Sequence, residues 1–124
     1  MKFLVTGSSG LVGRQVVMDL VKSGFQVYSG YQKSKPEFGI AKQFDIIDFD
    51  KVTKVIDSIN PDVIIHLAAM TNVDLCENEK ELAIKINAEA TSEITKNATK
   101  HNSFLIYVST DYVFDGKTGM KKED

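Results

Sequence analysis

Several things are scarce in this sequence. It has a single cysteine, Cys76, so no internal disulfide can form, and a reducing compartment is expected. It has two prolines and no tryptophan. No apolar run approaches the roughly 18–20 residues of a membrane span, and Met1-Lys2 leads straight into a strand-like segment rather than a signal peptide. Those absences point to the cytoplasm. Charge of one sign is missing too: 15 basic and 17 acidic residues are spread along the chain, with only Lys121–Asp124 biased. Nucleic acid and membrane surfaces are therefore not expected as partners. His66 and His101 stand apart, and no metal-ligand cluster is visible.

What is present is an ordinary globular composition, 43% apolar and 26% charged over 124 residues, enough for one domain with a core. Lys2–Thr6 is β-rich and ends at glycine. Apolar residues at 11, 12, 16, 17, 20 and 21 have helical spacing, and Gly24 stops that helix. Phe25–Ser29 reads as a second strand closed by Gly30, and Lys42–Ile46 as a third. Asp48 is the expected cap of a helix ended by Asn60-Pro61. Asp62–Leu67 holds a buried type of strand. Asn78–Glu81 fits a capping box for a helix burying Leu82, Ala83, Ile86, Ala90, Ile94 and Ala98. Phe104–Val108 is a last strand, with an edge left open. The order β-α-β-β-α-β-α-β predicts an α/β fold, a doubly wound parallel sheet of the Rossmann type, in a single unit over residues 1–124.

Gly7-Ser8-Ser9-Gly10-Leu11-Val12-Gly13 lies between the first strand and the first helix. Gly7 permits a sharp turn, Gly10 lets backbone approach a pyrophosphate, and Gly13 allows close packing. The helix start offers N–H groups and a positive dipole end to phosphates. NAD sites usually place an acid after the second strand, but Ser29-Gly30-Tyr31 supplies none. Arg14, Lys33 and Lys35 lie nearby in the sequence, so NADP(H) is favoured over NAD(H) as cofactor.

The run Thr6–Arg14 resembles extended short-chain dehydrogenases/reductases. His66-Leu-Ala-Ala-Met-Thr-Asn-Val-Asp74 and Val108-Ser-Thr-Asp-Tyr-Val-Phe-Asp-Gly116 narrow the resemblance to the N-terminal part of the dTDP-4-dehydrorhamnose reductase family. It implies NAD(P)H-dependent reduction of a nucleotide-linked 4-keto sugar. It implies pyrophosphate contacts from Gly10, Leu11 and Val12; Gly7, Ser9 and Gly13 of the same turn, the nearby cations Arg14 and Lys33, and Val108 complete the expected cofactor-binding set. Asp45 and Ile46 would meet the adenine, and Leu67, Ala68 and Ala69 the nicotinamide-side ribose. Thr110 would be the catalytic hydroxyl, with Thr71, Val73, Asp111 and Tyr112 near the sugar. A homodimer is compatible with the family.

Plainer readings stand beside these. Asp45 and Thr110-Asp111 suit turns. His66 suits a packed core, Cys76 a small packing residue, and Asn87 either the surface or a contact with the sheet. The family's Tyr-x-x-x-Lys pair falls further along than Gly116, and this sequence stops at Asp124. Tyr31–Lys35 matches the spacing by chance, on the adenosine side. The expectation is the N-terminal part of a longer reductase, lacking the C-terminal sugar region and binding dinucleotide without turnover. Tyr31–Phe38 and Phe104–Tyr107 also resemble the regulatory methionine adenosyltransferase β-subunit family, which implies a non-catalytic NADP-binding partner. Epimerases and dehydratases of the same fold fit less well, because they keep an acid after the second strand.

Overall fold

The computed structural model describes residues 1–110, 113, 115–117, 119 and 122. Five strands form one sheet: β1 (Lys2–Thr6), β2 (Gln26–Tyr31), β3 (Ile40–Gln43), β4 (Val63–His66) and β5 (Phe104–Tyr107). Their order is β3-β2-β1-β4-β5, and every pairing is parallel. The direction of the connections reverses between β2 and β4 around β1, which places the crevice of a doubly wound sheet above the carboxyl end of β1. The expected fold class holds.

Helices cover both faces. On one, α2 (Phe49–Ile59) and α5 (Ala90–Lys100) bury Val52, Ile56, Ile59, Ile94 and Ala98 against Leu4 and Ile64. On the other, α1 (Leu11–Lys22) seats Val17 against Phe3, Val5, Val27 and Ile65. Residues 3, 4 and 5 of β1 thus alternate between the two cores, as the period of a strand requires. β5 forms one edge of the sheet, and Phe104 there is exposed.

The predicted boundaries need correction at four places. β2 runs through Gly30 to Tyr31, because Gly30 sits inside the sheet with no room for a side chain: a Cβ would lie 2.9 Å from the Phe44 ring. β3 starts at Ile40 and ends at Gln43, so Asp45 and Ile46 lie in the loop beyond it. Asn78 is the last residue of a short helix, α3 (Val73–Asn78), capped at its start by the side chain of Asn72, which accepts from Leu75 N–H at 2.9 Å. The following helix, α4 (Lys80–Ile84), has no side-chain cap. It runs into a π-helical turn, Lys85–Glu89, and then α5. Leu82 is consequently exposed and Ile86 turned toward the cavity described below, while Ala83, Ala90, Ile94 and Ala98 are buried as expected. In α1, Leu11 and Val12 are exposed, since the first turn faces the crevice rather than the sheet. Asp48 caps α2 through Lys51 N–H, and Asn60 ends it with φ +46°.

Candidate dinucleotide site

The turn after β1 is built by close contact. Gly7 has φ +67°, and a Cβ there would lie 2.8 Å from Ala68 N. A Cβ on Gly13 would lie 2.2 Å from Gly7 O, so α1 can pack on the turn only with glycine there. Gly10 N–H donates to Gly7 O at 3.0 Å and closes the turn. Ser8, which the sequence reading passed over, is buried and joins the turn to β2: its N–H and hydroxyl both donate to Gly30 O, at 3.2 and 2.8 Å. No side chain caps α1, and its first turn holds no acid. The leading N–H groups of the helix are therefore left to a ligand or to water.

A cavity of about 590 Å³ runs across the carboxyl ends of the strands. Its middle is the turn, with Gly7, Ser9, Gly10, Leu11, Val12 and Gly13. One end is formed by Tyr31, Gln32, Lys33 and Ser34 after β2, together with Phe44, Asp45 and Ile46. The other is formed by Leu67, Ala68, Ala69 and Thr71 after β4, with Ile86 from the π turn. Twelve of the predicted site residues are thus brought together around one cavity: Gly7, Ser9, Gly10, Leu11, Val12, Gly13, Lys33, Asp45, Ile46, Leu67, Ala68 and Ala69. Thr71, predicted for the sugar, joins them. Val73, Val108 and Thr110 do not line the cavity, although Val108 and Thr110 follow β5 on the same side of the sheet. Asp111 and Tyr112 lie outside the described residues.

Arg14 is not at the cavity either. Its guanidinium donates through Nε and Nη2 to Glu37 Oε2, at 3.1 and 2.6 Å, and lies 5.4 Å from the centre of the Phe38 ring. Gln32 is the residue the sequence reading missed most directly. It follows β2 immediately, a place hidden when the strand is ended at Ser29. Its Nε2 donates to Asp45 Oδ2 at 2.6 Å.

Beneath the other end lies a hydrogen-bond chain centred on His66, which is fully buried. Thr6 Oγ1 accepts from the N–H groups of Leu67 and Ala68, both at 3.2 Å. The Thr6 hydroxyl proton therefore goes to His66 Nδ1, 2.7 Å away. The ring proton then sits on Nε2 and is donated to Thr91 Oγ1 at 3.1 Å, and Thr91 donates to Asn87 O at 2.9 Å. Burial pushes the His66 pKa down to about 4, so the ring is neutral at physiological pH. With both nitrogens engaged inside the fold, His66 holds backbone in place, and the packed-core reading stands. Asn87, on the π turn, grips one residue of the loop after β4: its Oδ1 accepts from Met70 N–H at 2.8 Å and its Nδ2 donates to Met70 O at 3.0 Å. Cys76 Sγ also donates to Met70 O, at 3.4 Å.

Known proteins share this fold. A hypothetical dTDP-4-dehydrorhamnose reductase from Sulfolobus tokodaii superposes with a TM-score of 0.91 and 41% identity, over 100% of this chain and 44% of that one. The dTDP-4-dehydrorhamnose reductase of Bacillus anthracis str. Ames, solved in complex with NADP, gives 0.81 and 32%, over 94% of this chain and 39% of that one. Methionine adenosyltransferase 2 subunit beta of Pongo abelii is 35% identical over 99% of this chain and 36% of its own length. The chain spans little more than a third of that curated relative. The model of the RmlD substrate binding domain family matches residues 1–124. From a glycine turn, a parallel sheet and a cavity across its carboxyl ends, the conclusion is that this chain belongs to the RmlD substrate binding domain family and is related to the N-terminal part of dTDP-4-dehydrorhamnose reductases.

Proposed function

We propose that residues 1–124 supply the dinucleotide-binding part of an NADP(H)-dependent reductase acting on a nucleotide-linked keto sugar, dTDP-4-dehydrorhamnose being the substrate the family suggests. The carrying observation is the continuous cavity from Ser34 past the uncapped start of α1 to Ala69. Its three parts suit an adenosine, a pyrophosphate and a nicotinamide riboside in turn. The glycine cradle has no room for side chains behind it, and the helix start carries no competing acid. No acid stands at the end of β2 or directly after it either, which favours a ribose 2′-phosphate over a free 2′-hydroxyl.

The reaction adds a hydride, supplied by the reduced nicotinamide, to the carbonyl carbon and a proton to its oxygen. Leu67, Ala68 and Ala69 would form the floor on which the ring is oriented, held by Thr6 and His66 beneath. Thr110, two residues beyond Val108, is proposed to hydrogen-bond the carbonyl oxygen as charge builds there. The proton donor would be a Tyr-x-x-x-Lys tyrosine, which the family carries further along than Gly116. Thr71 and Val73 are proposed on the sugar side. The test is titration of this chain with NADPH, followed by nicotinamide fluorescence. Saturable one-to-one binding without steady-state NADPH oxidation is expected, and absence of binding would refute the reading.

A second reading has its own support. Relatedness to methionine adenosyltransferase 2 subunit beta favours a non-catalytic NADP-binding subunit. NADPH oxidation by the full gene product with dTDP-4-dehydrorhamnose supports the reductase. Binding without turnover, together with co-purification of a synthetase, supports the subunit.

A further inference from the structure

Thr6 and His66 are partners in the register between β1 and β4, so their side chains stand together on the face that α5 covers. Thr6 also lines the cavity, and the loop that carries Leu67 and Ala68 begins directly after His66. Two kinds of constraint meet in that loop. Contact fixes how near it comes to the glycine turn: a Cβ on Gly7 would lie 2.8 Å from Ala68 N and 3.0 Å from Ala68 Cα. Hydrogen bonds fix its direction: the N–H groups of Leu67 and Ala68 both donate to Thr6 Oγ1, at 3.2 Å each.

A hydroxyl has one proton and two lone pairs. Both lone pairs of Thr6 Oγ1 are taken by the two N–H groups, so its proton needs an acceptor, and His66 Nδ1 at 2.7 Å supplies it. The arrangement holds only while Nδ1 carries no proton. A proton there, in the other neutral tautomer or in the imidazolium ion, would leave Thr6 Oγ1 with three donors around two lone pairs, and one of the two N–H groups would have to let go. Nε2 therefore carries the ring proton, which Thr91 Oγ1 accepts at 3.1 Å. The ring also lies against Tyr107 of β5, with ring centres 5.6 Å apart and planes at 26°. Among the described residues no carboxylate or cation bonds to it: burial keeps it neutral, and Thr6 and Thr91 choose its tautomer.

We propose that His66 is a positioning residue for the nicotinamide half of the ligand, an obligate acceptor that frees Thr6 Oγ1 to align the backbone of Leu67 and Ala68. His66 does not itself line the cavity and acts only through Thr6. The proposal rests on the dinucleotide reading above and adds to it the need for one tautomer of one buried ring. That need separates the role from plain packing. If His66 only filled space, an apolar side chain of similar shape would replace it. If it must accept at the δ position, only a side chain with an acceptor there will do.

The experiment compares NADP⁺ with 2′,5′-ADP by calorimetry on this chain and its variants. The two ligands share the adenosine half, so the ratio of their affinities reports the nicotinamide half. His66→Asn keeps an oxygen at the δ position and His66→Leu puts a methyl group there, while both lose the bond to Thr91. His66→Leu is expected to weaken NADP⁺ about tenfold relative to 2′,5′-ADP, the value of one hydrogen bond, and His66→Asn no more than about threefold. Thr6→Val should behave like His66→Leu, and Thr6→Ser like the parent. Equal ratios in His66→Leu and His66→Asn overturn the proposal. Should the Leu and Val variants fail to fold, the parent chain decides: two-bond proton–nitrogen correlation spectra at neutral pH are expected to show the proton on Nε2 and a bare Nδ1, and a proton on Nδ1 overturns the proposal. If neither nucleotide binds the parent chain, the dinucleotide reading fails and the proposal with it. Binding of both, with the same ratio in every variant, defeats the proposal alone.

Discussion

The glycine turn after β1 and residues 32–39 after β2, which run like a strap beside it, are neighbours on one cavity, yet they are held by different physics. The turn is held by contact: Gly7 and Gly13 bring backbone to backbone at distances that a single methyl group would destroy. The strap is held mainly by polar side chains, Gln32 on Asp45, Arg14 on Glu37 and Ser29 on Phe38 O, most of them at the surface. A contact of the first kind allows one residue type and leaves a plain mark in the sequence. Polar ties of the second kind allow many substitutions, cost little stability when lost, and leave almost no mark.

The contrast can be broken most severely at the turn. Gly13→Ala is expected to cost about 3 kcal/mol or more, because neither Gly7 O nor α1 can retreat from a Cβ at 2.2 Å. Urea denaturation measures it, and a loss under 1 kcal/mol would show that α1 can lift off the turn. Next comes the buried chain that ties the turn to the loop after β4. The unfolded chain takes up a proton on His66 near 6.5, the folded chain only near 4. Stability from this group is therefore complete above about pH 6.5 and declines as the pH falls toward 4, by up to about 1.4 kcal/mol per unit. Urea midpoints between pH 4.5 and 7 should fall more steeply for the parent chain than for His66→Gln, and parallel slopes would contradict the buried neutral ring. Smaller still, Asn72→Ala should cost about 1 kcal/mol through loss of the α3 cap, whereas Asn78→Ala should be close to neutral. The smallest stability effect belongs to the strap: Gln32→Ala should change the urea midpoint hardly at all, by about 0.5 kcal/mol or less, since its tie is exposed. A large loss there would end the distinction between the two regions.

Legibility followed the same division. β1, β4 and the first helix could be placed because buried parallel strands read as continuous apolar runs, and α1 carries a 3.6-residue period. β2 was cut short at Gly30 because glycine marks both a chain turn and a place where an aromatic ring needs the space; only the Phe44 ring tells which. The capping box at Asn78 failed because Asn78 is itself the last residue of α3, which Asn72 caps, and α4 begins without a side-chain cap. Arg14 was one cation among several near the second strand until Glu37, distant in sequence, claimed it.

By itself, then, the sequence determined the α/β order, the glycine turn and the side of the sheet on which a ligand can lie, since each depends on residues adjacent in the chain. Tertiary structure alone decided which groups meet across long separations: Thr6 with His66, Asn87 with Met70, Gln32 with Asp45, Arg14 with Glu37. The reason is that hydrogen bonds and ion pairs are short-ranged and directional. They exist only once the sheet register and the loop paths have brought donor and acceptor within about 3 Å.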